Sequence, residues 1–349
     1  MEKYSEVFVG MDVSKSRIAV GLAEGGGAGE ARFLGEIEAS EASVTKLYRL
    51  IGELGHACRV VAPSLIPRKP GDRVKTNRRD ALSLARLLRA GELTAVWAPD
   101  ERHEAMRDLV RARSAAAADL RVKRQQTGAF LLRLGRVYPG KKTWVGAHRK
   151  WLASQNFGHL EQRIAFEELV RAMEEAKARV ARLERAIEEA VPDWSLAPMV
   201  TALMAMRGID LVAATTILAE VGDLGRFQTP RELMAWLGLV PSEASTGDRV
   251  RRFGITKAGN GRARRALIES AWCYRFPARI GSAKLARVEA ASPAARRIAW
   301  KAQTRLTARY RALMRKGKLK TVAVTAVARE LAGFVWAMHR ALAEEQAVA

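Results

Sequence analysis

The sequence predicts an α/β N-terminal part followed by an all-α remainder. Two patterns carry that reading. Apolar residues alternate with a period of two within residues 6–39, as in half-buried strands. From residue 101 onward they recur instead at helical spacing, with a strict seven-residue repeat over Phe166–Ala190.

The N-terminal elements follow in order. Val7–Val13 is a short apolar run and Arg17–Ala23 alternates. Glu24–Glu30 is a Gly-rich turn, and Ala31–Ala39 alternates again. Three such runs joined by short turns predict an antiparallel meander. Residues 41–54 read as a helix with Val44, Leu47, Leu50, Ile51 and Leu54 on one face. Ala57–Ala62 reads as a further strand. The proline-rich loop PSLIPRKPGDRVK then leads to a helix at about 78–90.

Residues 101–190 read as almost wholly helical. From Phe166 the apolar positions Phe166, Leu169, Met173, Ala176, Val180, Leu183, Ile187 and Ala190 form a heptad seam that stops at Pro192. Such a seam suits a coiled coil, or a long helix packed on its own chain. Helices are expected near 199–206, 211–221, 230–238 and 261–275, with the polar loop PSEASTGDRVRRFGITKAGNG between the last two. A helical tail covers 294–345. The expected domains are 1–110, a coiled-coil arm over 111–195, a compact all-α unit over 196–280 and a basic tail over 281–349.

Charge narrows the function. Lys and Arg number 60 against 37 Asp and Glu, a formal net charge of +23. That excess excludes an acidic binding protein and makes a polyanion the leading partner. The charge is also placed in blocks. Residues 249–265 hold seven basic residues and no acid, and 290–329 hold eleven and no acid. Unbroken blocks of this kind favour phosphate contact over a mixed-charge solvated face. Two cysteines, Cys58 and Cys273, exclude a disulfide scaffold and a four-cysteine zinc site. The N-terminus lacks a signal-peptide layout and no window reads as a membrane span, so a cytoplasmic protein with no membrane partner is expected. Trp272, Trp300 and Trp336 lie in helical contexts and are expected to pack. The five histidines have no metal-ligand spacing.

Two short motifs can carry chemistry. In VFVGMDVSK an apolar strand presents Asp12, as a metal-holding aspartate would require, although a turn aspartate reads the same way. In KTNRRDALSLARLLRAGEL, Asn77 and Asp80 stand three apart at a helix start and share a face. Asp80 there is a plausible metal ligand or a charge set against the helix dipole.

These segments, with MRGIDLVAATTILAEVGDLGRFQTPRELMAWLGLVPSEASTGDRVRRFGITKAGNGRARRALIESAW, resemble one family across nearly the whole chain. It is the insertion-sequence transposases with a RuvC-like DEDD domain and a C-terminal serine-nucleophile domain, whose better-known members are bridge-RNA-guided recombinases. The resemblance implies an RNase H-like N-terminal domain in which four acidic residues bind Mg2+. It also implies a serine that attacks the DNA backbone and forms a covalent phosphoserine link. Asp12 matches the first acid and Asp80 the fourth, while the third falls on Asn77. Asp72, on the loop upstream, could compensate.

The second acid has no counterpart. Family members carry a helix, a Glu-bearing strand and another helix where this chain runs straight on near Thr45–Tyr48, so one strand of the domain is expected to be missing. Glu41 and Glu53 are poor substitutes. The nucleophile falls on Ser245, or on Thr246, with Ser242 nearby. Arg249, Arg251, Arg252 and Lys257 follow it and could hold the scissile phosphate, with Arg262, Arg264 and Arg265 beyond. Gly208 lies in the turn of a helix-hairpin-helix-like segment whose backbone N–H groups could meet phosphate. The resemblance further implies a structured guide RNA and a homo-oligomer, dimer or tetramer, with the aspartates of one subunit acting with Ser245 of another. Two other readings stay open: a metal-dependent junction-resolvase-type nuclease, and a non-catalytic nucleic-acid-binding remnant.

Overall fold

The computed structural model describes residues 6–25, 29–39, 44–67, 76–247 and 249–348. They form two compact units, Met1–Ala98 and Pro99–Ala349. Asp72 and Glu41 lie outside the described residues.

The first unit is a mixed α/β unit. Strands β1 (Val7–Val13), β2 (Arg17–Glu24) and β3 (Arg32–Glu38) form an antiparallel meander in the order β1-β2-β3. Asp12 pairs with Ala19, and Gly10 with Gly21. Helix α1 spans Val44–Glu53 and helix α2 spans Asn77–Arg89. Thr76 caps α2 by accepting from the Arg79 N–H at 3.2 Å.

Two glycines let α2 lie directly on the sheet. A Cβ on Gly10 would meet the Ala81 carbonyl oxygen at 2.3 Å, and one on Gly21 would meet the same oxygen at 2.8 Å. Ala81 and Ala85, on the facing side of the helix, are fully buried. Arg89 at the far end donates to the carbonyls of Glu24 and Gly29 at 3.2 and 2.8 Å. Glu24 pairs with Val7, so α2 runs antiparallel to β1 and its N-terminus lies toward the Asp12 end.

The opposite face of the sheet is unevenly covered, with Ile18 buried on it. Val7, Val9 and Ile37 lie on it and remain 46%, 37% and 55% exposed. Expected strand Ala57–Ala62 does not form: among the described residues the sheet has three strands. The Val60 carbonyl of this segment accepts from the Val96 N–H at 2.7 Å. Among the described residues β1 and β3 are the edges of the sheet, and 57–62 pairs with neither; without a ladder partner an apolar run does not become a strand.

The second unit is helical. Helices α3 (Glu101–Arg133), α4 (Gly146–Ala153) and α5 (Leu160–Ala190) form a long hairpin. The heptad seam of α5 packs on α3 of the same chain. Ile187 joins the cluster of Val110, Met173, Ala176 and Val180 meet Ala116 and Leu120, and Phe166 meets Leu131. The seam is therefore satisfied within the chain rather than offered to a second one.

Helices α6 (Ala197–Met204), α7 (Leu211–Val221), α8 (Pro230–Trp236) and α9 (Gly261–Ala271) build the main core. α10 (Ser282–Glu289), α11 (Pro293–Arg315) and α12 (Lys320–Val348) follow. The last two are not an appended tail. Leu306 of α11 and Val327, Leu331 and Val335 of α12 are buried in that core. By length and composition α12 could cross a membrane, but 44% of its apolar window is buried inside the protein. Trp336 packs as expected, its indole N–H donating to the Phe227 carbonyl at 2.8 Å. Trp300 does not, and stays 46% exposed.

Gly10→Ala is expected to destabilise the N-terminal unit by about 1–3 kcal/mol, the usual cost of overpacking. The added methyl must push α2 off β1, which thermal unfolding followed by circular dichroism will read as a lowered midpoint.

Candidate nucleic-acid and catalytic site

The polar loop between α8 and α9 is a β-hairpin. Strands β4 (Pro241–Glu243) and β5 (Arg252–Ile255) pair antiparallel, with Glu243 opposite Arg252. The ladder continues outward through the Ala244 N–H to the Arg251 carbonyl and through reciprocal bonds between Thr246 and Arg249. Gly247, at φ +57°, supplies the left-handed residue of the tip.

The base of this hairpin is clamped. Gly238 and Gly259, at φ +63° and +71°, let the two chains meet. A Cβ on Gly259 would lie 1.8 Å from the Trp236 carbonyl oxygen, and one on Gly238 2.2 Å from that of Ala258. Lys257 is held at φ +57°, a left-handed conformation unusual for a residue with a side chain. The Arg264 guanidinium donates to the Leu237 and Ala258 carbonyls, both at 2.9 Å, and ties the two sides together.

Behind the clamp lies a buried carboxylate. The Glu220 side chain is 1% exposed and accepts from Arg111 at 2.8 and 2.9 Å and from the Asn260 amide at 2.7 Å. Arg262 adds an ion pair at 3.6 Å. Burial alone raises the Glu220 carboxyl, but the hydrogen bonds from Arg111 and Asn260 and the two cations bring it below its ordinary value. Asn260 also caps α9 by accepting from the Arg262 and Ala263 N–H groups. One carboxylate thus links α3, α7 and the start of α9.

Ser245 stands on the exposed hairpin. Its hydroxyl donates to Glu243 Oε1 at 2.8 Å, and Arg252 donates to Glu243 Oε2 at 3.0 Å. These two bonds, Ser245 first, hold the Glu243 carboxyl below its ordinary value. Ser242 is engaged elsewhere, donating to the Gly254 carbonyl at 3.0 Å. Sequence reading missed Glu243. Residues i and i+2 of a strand share a face, so recognising the hairpin would have paired Glu243 with Ser245.

The basic residues divide into two sets. Arg249, Arg251, Arg252, Lys257 and Arg265 are exposed. Arg262 and Arg264 are engaged with Glu220 and the clamp. Gly208, at φ +80°, packs against its own chain: a Cβ there would meet the Ser270 carbonyl at 2.3 Å. Asp210 caps α7 through the Ala213 N–H at 2.8 Å. The Lys284 ammonium donates to the Met206 and Ile209 carbonyls, and its burial brings the lysine down to about 8.

In the first unit, Asp12 lies on the sheet face that carries α2. Asp80 lies in the first turn of that helix, at the same end, with exposed Asn77 beside it. Among the described residues no three His, Cys, Asp or Glu side chains gather as a metal-holding group. Asp12 and Asp80 supply two carboxylates from separate elements. That set suits a hard cation that keeps waters and takes phosphate oxygens, rather than a closed protein cage.

The pattern defining the family described as "Transposase IS116/IS110/IS902 family" matches residues 200–285, the stretch from α6 through the clamped hairpin to α10. The putative transposase y4qE of Sinorhizobium fredii (strain NBRC 101917 / NGR234) is 56% identical over 361 residues, 97% of this chain and 89% of the relative. The transposase for insertion sequence element IS1533 of Leptospira borgpetersenii is 31% identical over 289 residues, 80% and 82% of the two chains. The chain belongs to this transposase family. A transposase for insertion sequence element IS1328 of Yersinia enterocolitica is similar at 26% identity over 244 residues, 68% of this chain and 70% of that one. The first alignment is longer than the 349-residue transposase described here, so that relative carries residues which this chain lacks.

Gly259→Ala is expected to cost about 3 kcal/mol or more, combining a left-handed backbone penalty with overpacking. Denaturant unfolding of the full chain checks it.

Proposed function

We propose that this transposase cuts and rejoins DNA through a covalent link to Ser245. The observation that carries the reading is the Ser245–Glu243–Arg252 cluster on a clamped, exposed and basic hairpin. In the proposed step Ser245 Oγ attacks a backbone phosphorus. An Oγ–P bond forms, the bond from phosphorus to one sugar oxygen breaks, and that oxygen takes a proton from water. The serine proton passes through Glu243 to solvent. Rejoining is the reverse, with a sugar hydroxyl displacing Ser245, so the bond energy is kept. Glu243 orients the hydroxyl. Exposed Arg249, Arg251 and Lys257 oppose the charge that grows on the phosphate.

Asp12 and Asp80 of an RNase H-like unit would hold Mg2+, with the Asn77 amide oxygen as a third, uncharged donor. Bound there, the ion neutralises phosphate charge and polarises the attacking oxygen. A structured guide RNA choosing the target, and a dimer or tetramer as the working assembly, belong to the same reading. They rest on the family resemblance and the +23 charge. A second reading, a binding protein without catalysis, is favoured by Asn77 standing where the resemblance implies an acid.

The test uses duplex DNA bearing the ends of the element that encodes the chain. After denaturation the wild type should carry DNA covalently, and Ser245→Ala should lose at least about 100-fold of that adduct. Adduct lost in Thr246→Ala but kept in Ser245→Ala would move the nucleophile. Mg2+-dependent cleavage without adduct would favour a resolvase-type nuclease. Binding with no product, unchanged by Asp12→Ala, would favour the second reading.

The pH dependence has a defined sign. With its proton affinity lowered, Glu243 remains a carboxylate as pH falls through the usual carboxylate range. Adduct formation should therefore hold level down to about pH 5 and fall only below the ordinary value. A decline centred near neutrality would assign the proton to another group.

A further inference from the structure

The far end of the α3–α5 hairpin is a compact knob. Residues 120–160 carry nine basic residues and no acid, a longer block than the one on the serine hairpin. An aromatic brace holds it: Tyr138, Trp144 and Trp151 surround the buried His148 ring at 4.7–5.5 Å, and Phe130, Phe157 and Phe166 pack below. Arg136 lies over the Phe157 ring at 4.3 Å.

The exposed lysines Lys141, Lys142 and Lys150 face solvent. Among the described residues none of them is paired with a carboxylate. Helix α5 is different. There Arg163, Arg171 and Lys177 each pair with a glutamate three or four residues away. Residues 120–160 are of one sign, with Arg149 paired to Glu174 of α5 at 3.7 Å and the three lysines left to solvent, where α5 itself is of mixed sign.

We infer that this knob is a second binding surface, for the phosphate backbone of duplex DNA beyond the segment gripped by the serine hairpin. The inference rests on the DNA-joining function proposed above. Val110 belongs to the main core and Leu131 to the knob, so α3 carries the knob about 30 Å outward at 1.5 Å per residue. That offset is about nine base pairs of duplex, which stays straight over such a length. A second copy is a poor occupant, because symmetric pairing would set like charges against each other.

The experiment measures duplex affinity of the full chain at a series of salt concentrations. Variants are the triple Lys141→Ala, Lys142→Ala, Lys150→Ala and the matching triple to Arg. If the knob holds DNA, the Ala triple lowers the slope of log affinity against log salt by about 2 to 3, and the Arg triple keeps it. Thermal unfolding confirms that both variants fold. An unchanged slope overturns the inference. So does a loss seen with duplex RNA but not DNA, or a change in sedimentation with the DNA slope intact. Adduct formation at saturating DNA separates the two proposals. A full slope with no adduct in the wild type removes the serine reading and leaves the knob. An unchanged slope in the Ala triple with normal adduct removes the knob alone.

Discussion

The close meeting of two chains at Gly238 and Gly259 is the constraint on which the serine hairpin depends. Neither glycine can bear a side chain without driving it into a carbonyl. What they allow is a hairpin that leaves the helical core at one fixed point, with Arg264 and the Glu220–Asn260 bond closing it from behind. Everything beyond that point is exposed and has little apolar packing. A hydroxyl placed there, as that of Ser245 is, can meet a large polymer, while the base of the hairpin is fixed by the core. The strained Lys257 sits at this closure, where the surrounding bonds can sustain its backbone.

The same chemistry sorts the arginines. Arg111 and Arg264 each make two hydrogen bonds, to the buried carboxylate and to backbone carbonyls respectively, and Arg262 adds an ion pair to the same carboxylate. Arg249 and Arg251 are exposed near the tip of the hairpin and stay available to an incoming anion. Block counts along the chain treat all of them alike. Only the fold shows that part of a basic block is structural.

Legibility followed periodicity. The meander, α2, and the helices from 101 onward were readable because each buries one face, and burial leaves a period in the apolar residues. The hairpin at 241–255 was not, because it buries almost nothing and shows no alternation. Glu243 was lost with it. The heptad of α5 was readable as a seam but its partner was not, since a repeat records that a face is covered and not by what. The 57–62 segment has the composition of a strand, yet a strand exists only with a neighbour, and among the described residues it pairs with none of the three strands. Family resemblance is what nominates Asp12, Asp80 and Ser245 together, which composition could not do. The second basic surface went unread because its charges are scattered between aromatics over forty residues.

The N-terminal unit owes its arrangement to a local contact. Gly10 and Gly21 bring Ala81 directly against the sheet, and the lack of a side chain at both positions is what lets α2 lie there. Coverage of the other face is uneven, with Ile18 buried and Val7 and Val9 partly exposed. Asp12 belongs to the α2 face, and the helix lying on that face carries Asp80. Under the proposed function Asn77 adds no charge beside these two carboxylates. A cation there would then depend on a phosphate oxygen of DNA to complete its ligands, so its occupancy would follow the presence of DNA.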